Sequence, residues 1–177
     1  QQQRAQTGET ATMRAEPNDP RVWSDPYAIE LGWLDYNGHL NMAYYHVMFD
    51  RTVDIALDAV NLGAAYRADN GCGIFNVETH VLYRREVHAH DLVRVSFQLL
   101  GRDAKRLHGF QTMVREGDEE FLASSESMFV HVDLGARQVA PFPEAQSIAL
   151  DAMVGAHALA GEPDQAGRRI APLRANS

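Results

Sequence analysis

Cysteine is nearly absent from the 177 residues: the single Cys72 excludes an intramolecular disulfide, and no Cys/His spacing makes a zinc site of the C-x-x-C kind. A reducing compartment, the cytoplasm, is the expectation that follows. Positive charge is also scarce. Sixteen Lys and Arg stand against 24 Asp and Glu, for a formal charge of −8, so no nucleic-acid surface is expected and an anionic ligand must be met by local cations. No apolar run approaches the roughly 18 residues of a membrane span. The first twenty residues lack a basic start followed by an apolar stretch, so neither a membrane association nor a secretory leader is expected. What is present is an ordinary globular composition, 45% hydrophobic and 23% charged, enough for one domain with its own core.

Residues 1–20 are rich in Gln, Thr, Glu and Pro with little to bury, which predicts a disordered arm. The main domain is expected over 21–146, followed by a C-terminal helix and flexible tail over 147–177. Tyr27 to Leu34 reads as a short strand. From Asn41 onward apolar residues fall at Met42, Tyr45, Phe49, Val53, Ala56 and Val60, the spacing of a helix of about five turns with a wide buried face. Gly63 is expected to supply a left-handed residue after its end. The period then changes to two. Phe75, Val77, Thr79, Val81 and Tyr83 are predicted to form the buried face of a strand, and three further alternating segments reach Val132, separated by turns at Gly101–Asp103 and Gly117–Asp118. Four long strands with short turns predict an antiparallel meander, and an α+β domain whose curved sheet wraps one long helix.

The segment Trp33–Tyr45 (WLDYNGHLNMAYY) gathers Asp35, Asn37, His39 and Asn41 just before the helix. Turn chemistry and helix capping by Asn41 account for these residue types taken singly. Together they also suit hydrolysis of an ester or thioester. A helix start offers unpaired N–H groups at its positive end to an oxyanion, while a carboxylate beside them activates water. Asp35 is the candidate carboxylate, with His39 and Asn37 placed to orient it, the water or the leaving group.

Asp-Tyr-Asn-Gly-His-Leu-Asn followed by Tyr45 and Phe49 resembles the D-x-x-G-H-x-N…Y…F signature of hotdog-fold acyl-CoA thioesterases of the 4-hydroxybenzoyl-CoA thioesterase type. Later stretches are similar as well, among them VLYRREVHAHDLVRV, KRLH and FVHVDLGARQVAPFP, so the resemblance covers residues 22–146. It implies a hotdog fold and a catalytic role for Asp35. It also puts the Met42 amide in the oxyanion-donor place and calls for no cofactor or metal. The D-x-N-x-H spacing and Tyr83-Arg84-Arg85-Glu86 are similar to plant acyl-ACP thioesterases, in which the Glu is a candidate to hold the attacking water; Val87 stands where those enzymes carry Cys. The W-x-D-Y-N-G-H form resembles thioesterases associated with carnitine breakdown, which implies betainyl-CoA as a substrate.

The aromatics Trp33, Tyr36, Tyr44, Tyr45 and Phe49 are open to three readings: core packing, a slot for an aromatic acyl group, or a cage for a quaternary ammonium. Trp33, Tyr36, Asn41 and Tyr45 are the expected substrate contacts. Arg84, Arg85, Arg102, Lys105 and Arg106 form the local basic cluster for CoA phosphates, with Arg84, Arg85, Lys105 and Arg106 as the binding candidates. The resemblance further implies a homodimer or dimer of dimers with the site between subunits, which would also cover an exposed sheet edge. The alternatives are an acyl-CoA-binding hotdog protein without turnover, an acyl-ACP thioesterase, a hotdog dehydratase or hydratase, and a metal site on His88, His90 and Asp91.

Overall fold

Residues 18–171 are described by the structure, a computed structural model, and within them the alternating segments form one antiparallel sheet. Residues 1–17 of the arm expected over 1–20, and 172–177 of the expected tail, lie outside the described residues. Two short strands, β1 (Val22–Trp23) and β2 (Tyr27–Ala28), precede a 3₁₀ turn at Leu31–Trp33. The helices α1 (Met42–Ala59) and α2 (Ala64–Asn70) follow. The long strands are β3 (Cys72–Tyr83), β4 (Leu92–Arg102), β5 (Arg106–Arg115) and β6 (Phe121–Asp133). The short β7 (Gln138–Val139) and the helix α3 (Glu144–His157) complete the chain.

The strand order is β1-β4-β5-β6-β3, with β2 added to β4 and β7 to β6. Only β4, β5 and β6 form the expected meander. β3 crosses the sheet and pairs with β6, from Cys72 opposite Asp133 to Tyr83 opposite Ala123. Alternation reveals that a segment is a strand and which face it buries, but not its neighbour. The face expected to be buried on β3 is not: Phe75, Val77 and Tyr83 are 45%, 57% and 43% exposed. Among the described residues of the single chain, the outer side of β3 is a free edge.

Helix α1 spans 18 residues and lays one face across the sheet. Its first half packs Tyr45, Met48 and Phe49 against Val93, Val95, Met113 and Leu122, and its second half packs Val53, Ala56 and Val60 with Phe97, Leu107 and Phe129. Each of the larger of these side chains contributes on the order of 2 kcal/mol when removed from water. The left-handed residue at its end is Asn61, not Gly63. Asn61 has φ 55°, its N–H donates to Asp58 O at 3.1 Å, and the Leu62 N–H donates to Leu57 O at 2.8 Å. That is a Schellman closure in which asparagine tolerates the left-handed region. Gly63 has φ −81° and precedes α2, where a Cβ would fall 1.7 Å from Asp58 Oδ1.

The segment expected as a strand over Tyr27–Leu34 pairs for only two residues before Leu31–Trp33 winds into the 3₁₀ turn. At the other end, α3 begins at Glu144, three residues before the segment 147–177 in which a helix is expected. It is tied to β4, where the Leu99 N–H donates to His157 Nδ1 at 2.8 Å and Gln98 Nε2 donates to His157 O at 3.1 Å. Leu150 and His157 are both buried where α3 packs against the sheet.

Candidate active site

Residues 34–40 form a tight reversal closed by a bridge between Leu34 and Leu40. The Gly38 N–H donates to Asp35 O at 3.0 Å and the Asp35 N–H to His39 O at 2.8 Å, with Gly38 at φ +77°. Asp at the first turn position and Gly at the left-handed one are what this geometry asks for. Asp35 Oδ1 accepts from the backbone N–H of Asn37 at 2.8 Å and of His39 at 3.3 Å. Partial desolvation opposes its ionisation, but the donors from Asn37 and His39 outweigh it and hold the carboxyl below its ordinary pKa of 3.8. Asp35 is therefore a carboxylate at neutral pH.

Two residues further on, α1 begins. Asn41 Oδ1 accepts the Ala43 N–H at 3.0 Å, the capping bond that fixes the helix start. The Met42 N–H makes no hydrogen bond to any described residue, and it lies at the positive end of the α1 dipole.

The opposite wall is the chain leaving β3. Leu40 donates its N–H to Val87 O at 2.8 Å, which binds the helix start to the segment 84–88. Asp35, His39 and Met42 on one side and Tyr83, Arg84, Arg85 and Glu86 on the other enclose a cleft of about 770 Å³, together with Tyr36, Leu40, Asn41 and Tyr45. His39 Nε2 lies 3.4 Å from Glu86 Oε2. Tyr45 is buried, and its ring meets that of Tyr83 edge-on at 5.1 Å. Burial pushes the Tyr45 hydroxyl up to about 12 and the Tyr83 hydroxyl above its usual value, so both remain protonated donors.

Nine of the residues singled out in the sequence meet in this cleft: Asp35, Tyr36, His39, Asn41, Met42, Tyr45, Arg84, Arg85 and Glu86. Asn37 caps the turn beside it. Trp33 does not line it; its ring stacks on Tyr44 at 5.0 Å and 9°, and Phe49 is buried in the core. The basic cluster divides. Arg102 is paired with Asp151 and Arg106 with Asp103. Arg106 lies opposite Val130, seven positions along β6 from the Ala123 row that ends at Tyr83. This separation is about 23 Å at 3.3 Å per residue. Lys105 and Arg106 therefore sit at the far end of the sheet from Arg84 and Arg85. The metal candidates His88, His90 and Asp91 do not assemble, because the Asp91 carboxylate is taken by Arg115 and by the His88 N–H. Sequence reasoning missed Leu40 and Tyr83 as lining residues. Tyr83 could have been found as the last strand residue before Arg84–Glu86.

The thioesterase-like superfamily profile matches residues 29–150. The chain belongs to this superfamily. The betainyl-CoA thioesterase of Pseudomonas aeruginosa is 36% identical to this chain over 138 residues, covering 78% of it and 87% of that protein. An L-carnitine dehydrogenase/betainyl-CoA thioesterase from Rhizobium sp. is 34% identical over 147 residues, which cover 83% of this chain and only 29% of that longer protein. Among solved structures, a thioesterase-assigned protein from Pseudomonas putida KT2440 superposes with TM-score 0.75 at 34% identity, over 88% of this chain and 99% of its own. A Staphylococcus aureus protein solved in complex with CoA has the same fold, with TM-score 0.80 at 23% identity, over 93% of this chain and all of that one. The fold is the hotdog, with the sheet wrapped around α1, and the chemistry is thioester hydrolysis. No helix among the described residues is long and apolar enough to cross a membrane.

Proposed function

We propose that this thioesterase hydrolyses betainyl-CoA to betaine and CoA, with Asp35 as the base and the Met42 N–H as the oxyanion donor. The observation that carries the mechanism is the pairing of an ionised Asp35 with an unpartnered helix N-terminal N–H on the same wall of one cleft. Water gives its proton to Asp35, or is held with Glu86 while it does so, and its oxygen adds to the thioester carbonyl. The negative charge collects on the carbonyl oxygen facing the Met42 N–H. Collapse breaks the C–S bond, and the thiolate takes the proton back. Asn37 and His39 position the carboxylate through their N–H groups, and His39 also holds Glu86.

Kinship with a betainyl-CoA thioesterase over 87% of its length supports the acyl group. So does the chemistry of the cleft. The quaternary ammonium of a betainyl group sits two bonds from the carbonyl, inside the same cleft that Asp35, Glu86, Tyr45 and Tyr83 line. Carboxylates and aromatic rings attract such a cation, whereas it has no N–H for a hydrogen bond. Arg84 and Arg85 at the rim are the cations for CoA phosphates.

The proposal includes a homodimer made along the free β3 edge, which would cover the exposed Phe75, Val77 and Tyr83. Antiparallel pairing of two such edges brings the far end of the second copy's sheet, with its Lys105 and Arg106, toward the cleft. It also places the reaction in the cytoplasm, to which the free thiol of Cys72 is suited.

Thiol release from betainyl-CoA and from its uncharged isostere, 3,3-dimethylbutyryl-CoA, tests the assignment. Each kcat/KM is divided by the ester's rate with hydroxide, to remove the inductive effect of the ammonium. Betainyl-CoA should be preferred by about tenfold or more. Equal corrected values would overturn recognition of the cation.

A further inference from the structure

The geometry points to a divalent transition-metal site at the lip of the cleft, built by His39, Glu86 and His88 and suited to Zn²⁺. One donor atom from each residue lies within 4.8 Å of the other two. The His39 Nε2 to Glu86 Oε2 distance is 3.4 Å. Two ligands bound at about 2.1 Å around a tetrahedral ion are separated by about 3.4 Å, so this pair already stands at the ligand spacing of such a centre. The third ligand comes from the imidazole of His88, whose ring meets the His39 ring edge-on at 5.0 Å. Closing the remaining gap requires only side-chain rotation, because Glu86 and His88 are exposed.

The backbone prepares this arrangement. Val87 is fully buried between Glu86 and His88, so in an extended segment its two neighbours both project outward. The Leu40 N–H to Val87 O bond sets His39 alongside them. His88 is fixed by its own N–H, which donates to Asp91 Oδ2 at 2.9 Å, and Asp91 is clamped by Arg115. Two imidazoles and one carboxylate with an open fourth position are a donor set for Zn²⁺ rather than for Mg²⁺ or Ca²⁺, which take oxygen. The sequence suggested a metal through His88, His90 and Asp91. The fold replaces two of those three ligands.

Occupation has a defined consequence for the reaction. A metal on His39 and Glu86 withdraws Glu86 from the water and His39 from Glu86, so hydrolysis falls as the site fills. His88 has no place in the proposed hydrolysis and belongs to the metal site alone.

The test is titration of the whole protein with Zn²⁺ by calorimetry and with Co²⁺ by its visible absorption, for wild type, His88→Ala and Glu86→Gln. Wild type should bind one ion per chain, with the intense visible band of a four-coordinate Co²⁺ centre. Each substitution should weaken binding by about two powers of ten, since even outer-shell changes cost 10- to 100-fold. In metal-free buffer His88→Ala should hydrolyse substrate at the wild-type rate, and it should resist the inhibition that Zn²⁺ imposes on wild type. Absence of saturable binding in wild type, or unchanged binding in His88→Ala, would overturn the site. The binding readouts are independent of the acyl group, so an error about betainyl-CoA would not imitate either result.

Discussion

Replacing Asp35 by Asn separates the turn-holding role seen in the structure from the base role proposed for this residue. Its Oδ1 holds the turn by accepting the N–H groups of Asn37 and His39, and its charge is the proposed activator of water. An asparagine oxygen can accept the same two N–H groups, so the fold of 34–40 should survive with the base removed. The expected loss in kcat/KM is the contribution of a general base, about 10²- to 10⁴-fold. Asp35→Ala should lose as much activity and also lower the melting temperature, because the turn loses its acceptor. The pH profile gives a second handle. A base must be unprotonated to act, and the N–H donors lower the Asp35 pKa, so kcat/KM should remain on its plateau as pH falls and decline only below 3.8. Thiol release followed spectrophotometrically across pH, with thermal melts of the three proteins, is the assay. Turnover in Asp35→Asn within tenfold of wild type would refute the role of Asp35. An acid limb with its midpoint near 6.5 would point instead to an imidazole as the base.

Three further outcomes follow from the packing. Burial holds the His157 pKa below 6.5, so the unfolded chain binds more protons under acid conditions; this part of the stability is complete above pH 6.5 and is lost as pH falls below it. His157→Asn, whose Oδ1 can still accept the Leu99 N–H, should flatten that part of the melting-temperature profile. Gly109→Ala would place a Cβ 2.7 Å from Phe97 Cε2 and 3.1 Å from Phe129 Cε2, and should cost about 1–3 kcal/mol in urea unfolding. Val77→Lys on the free β3 edge should shift the mass by light scattering from dimer to monomer; an unchanged dimer would move the interface elsewhere.

The helix and the reversal before it were legible in the sequence because their signals are local. Three-and-four spacing defines α1, and Asp35, Gly38 and Asn41 each sit where a turn or a cap needs that residue type. The meeting of Asp35 and Glu86 across a cleft is long-range, and it came into view only through resemblance. Pairing of β3 with β6 left no mark on the alternation of Phe75–Tyr83, which looks the same beside either neighbour. Expected burial of that face failed for a related reason: a period of two reports an apolar face, whatever finally covers it. Arg106 was grouped with Arg84 by charge, and only the strand register shows them at opposite ends of the sheet.

Asn41 caps α1 in a way that makes position 42 unusual for mutagenesis. A backbone donor cannot ordinarily be deleted without breaking the element that holds it. Here Met42 is the first helical residue, its side chain is 63% exposed, and Asn41 has φ −63° and ψ 138°, the conformation favoured before proline. Proline is at home in the first position of a helix, where its missing N–H costs the helix nothing. Met42→Pro therefore removes the proposed oxyanion donor, a single hydrogen atom, from an intact scaffold, and nearly every other residue at that position retains it. Selection on the proposed oxyanion donor would thus act on the backbone and leave the side chain at position 42 free to drift.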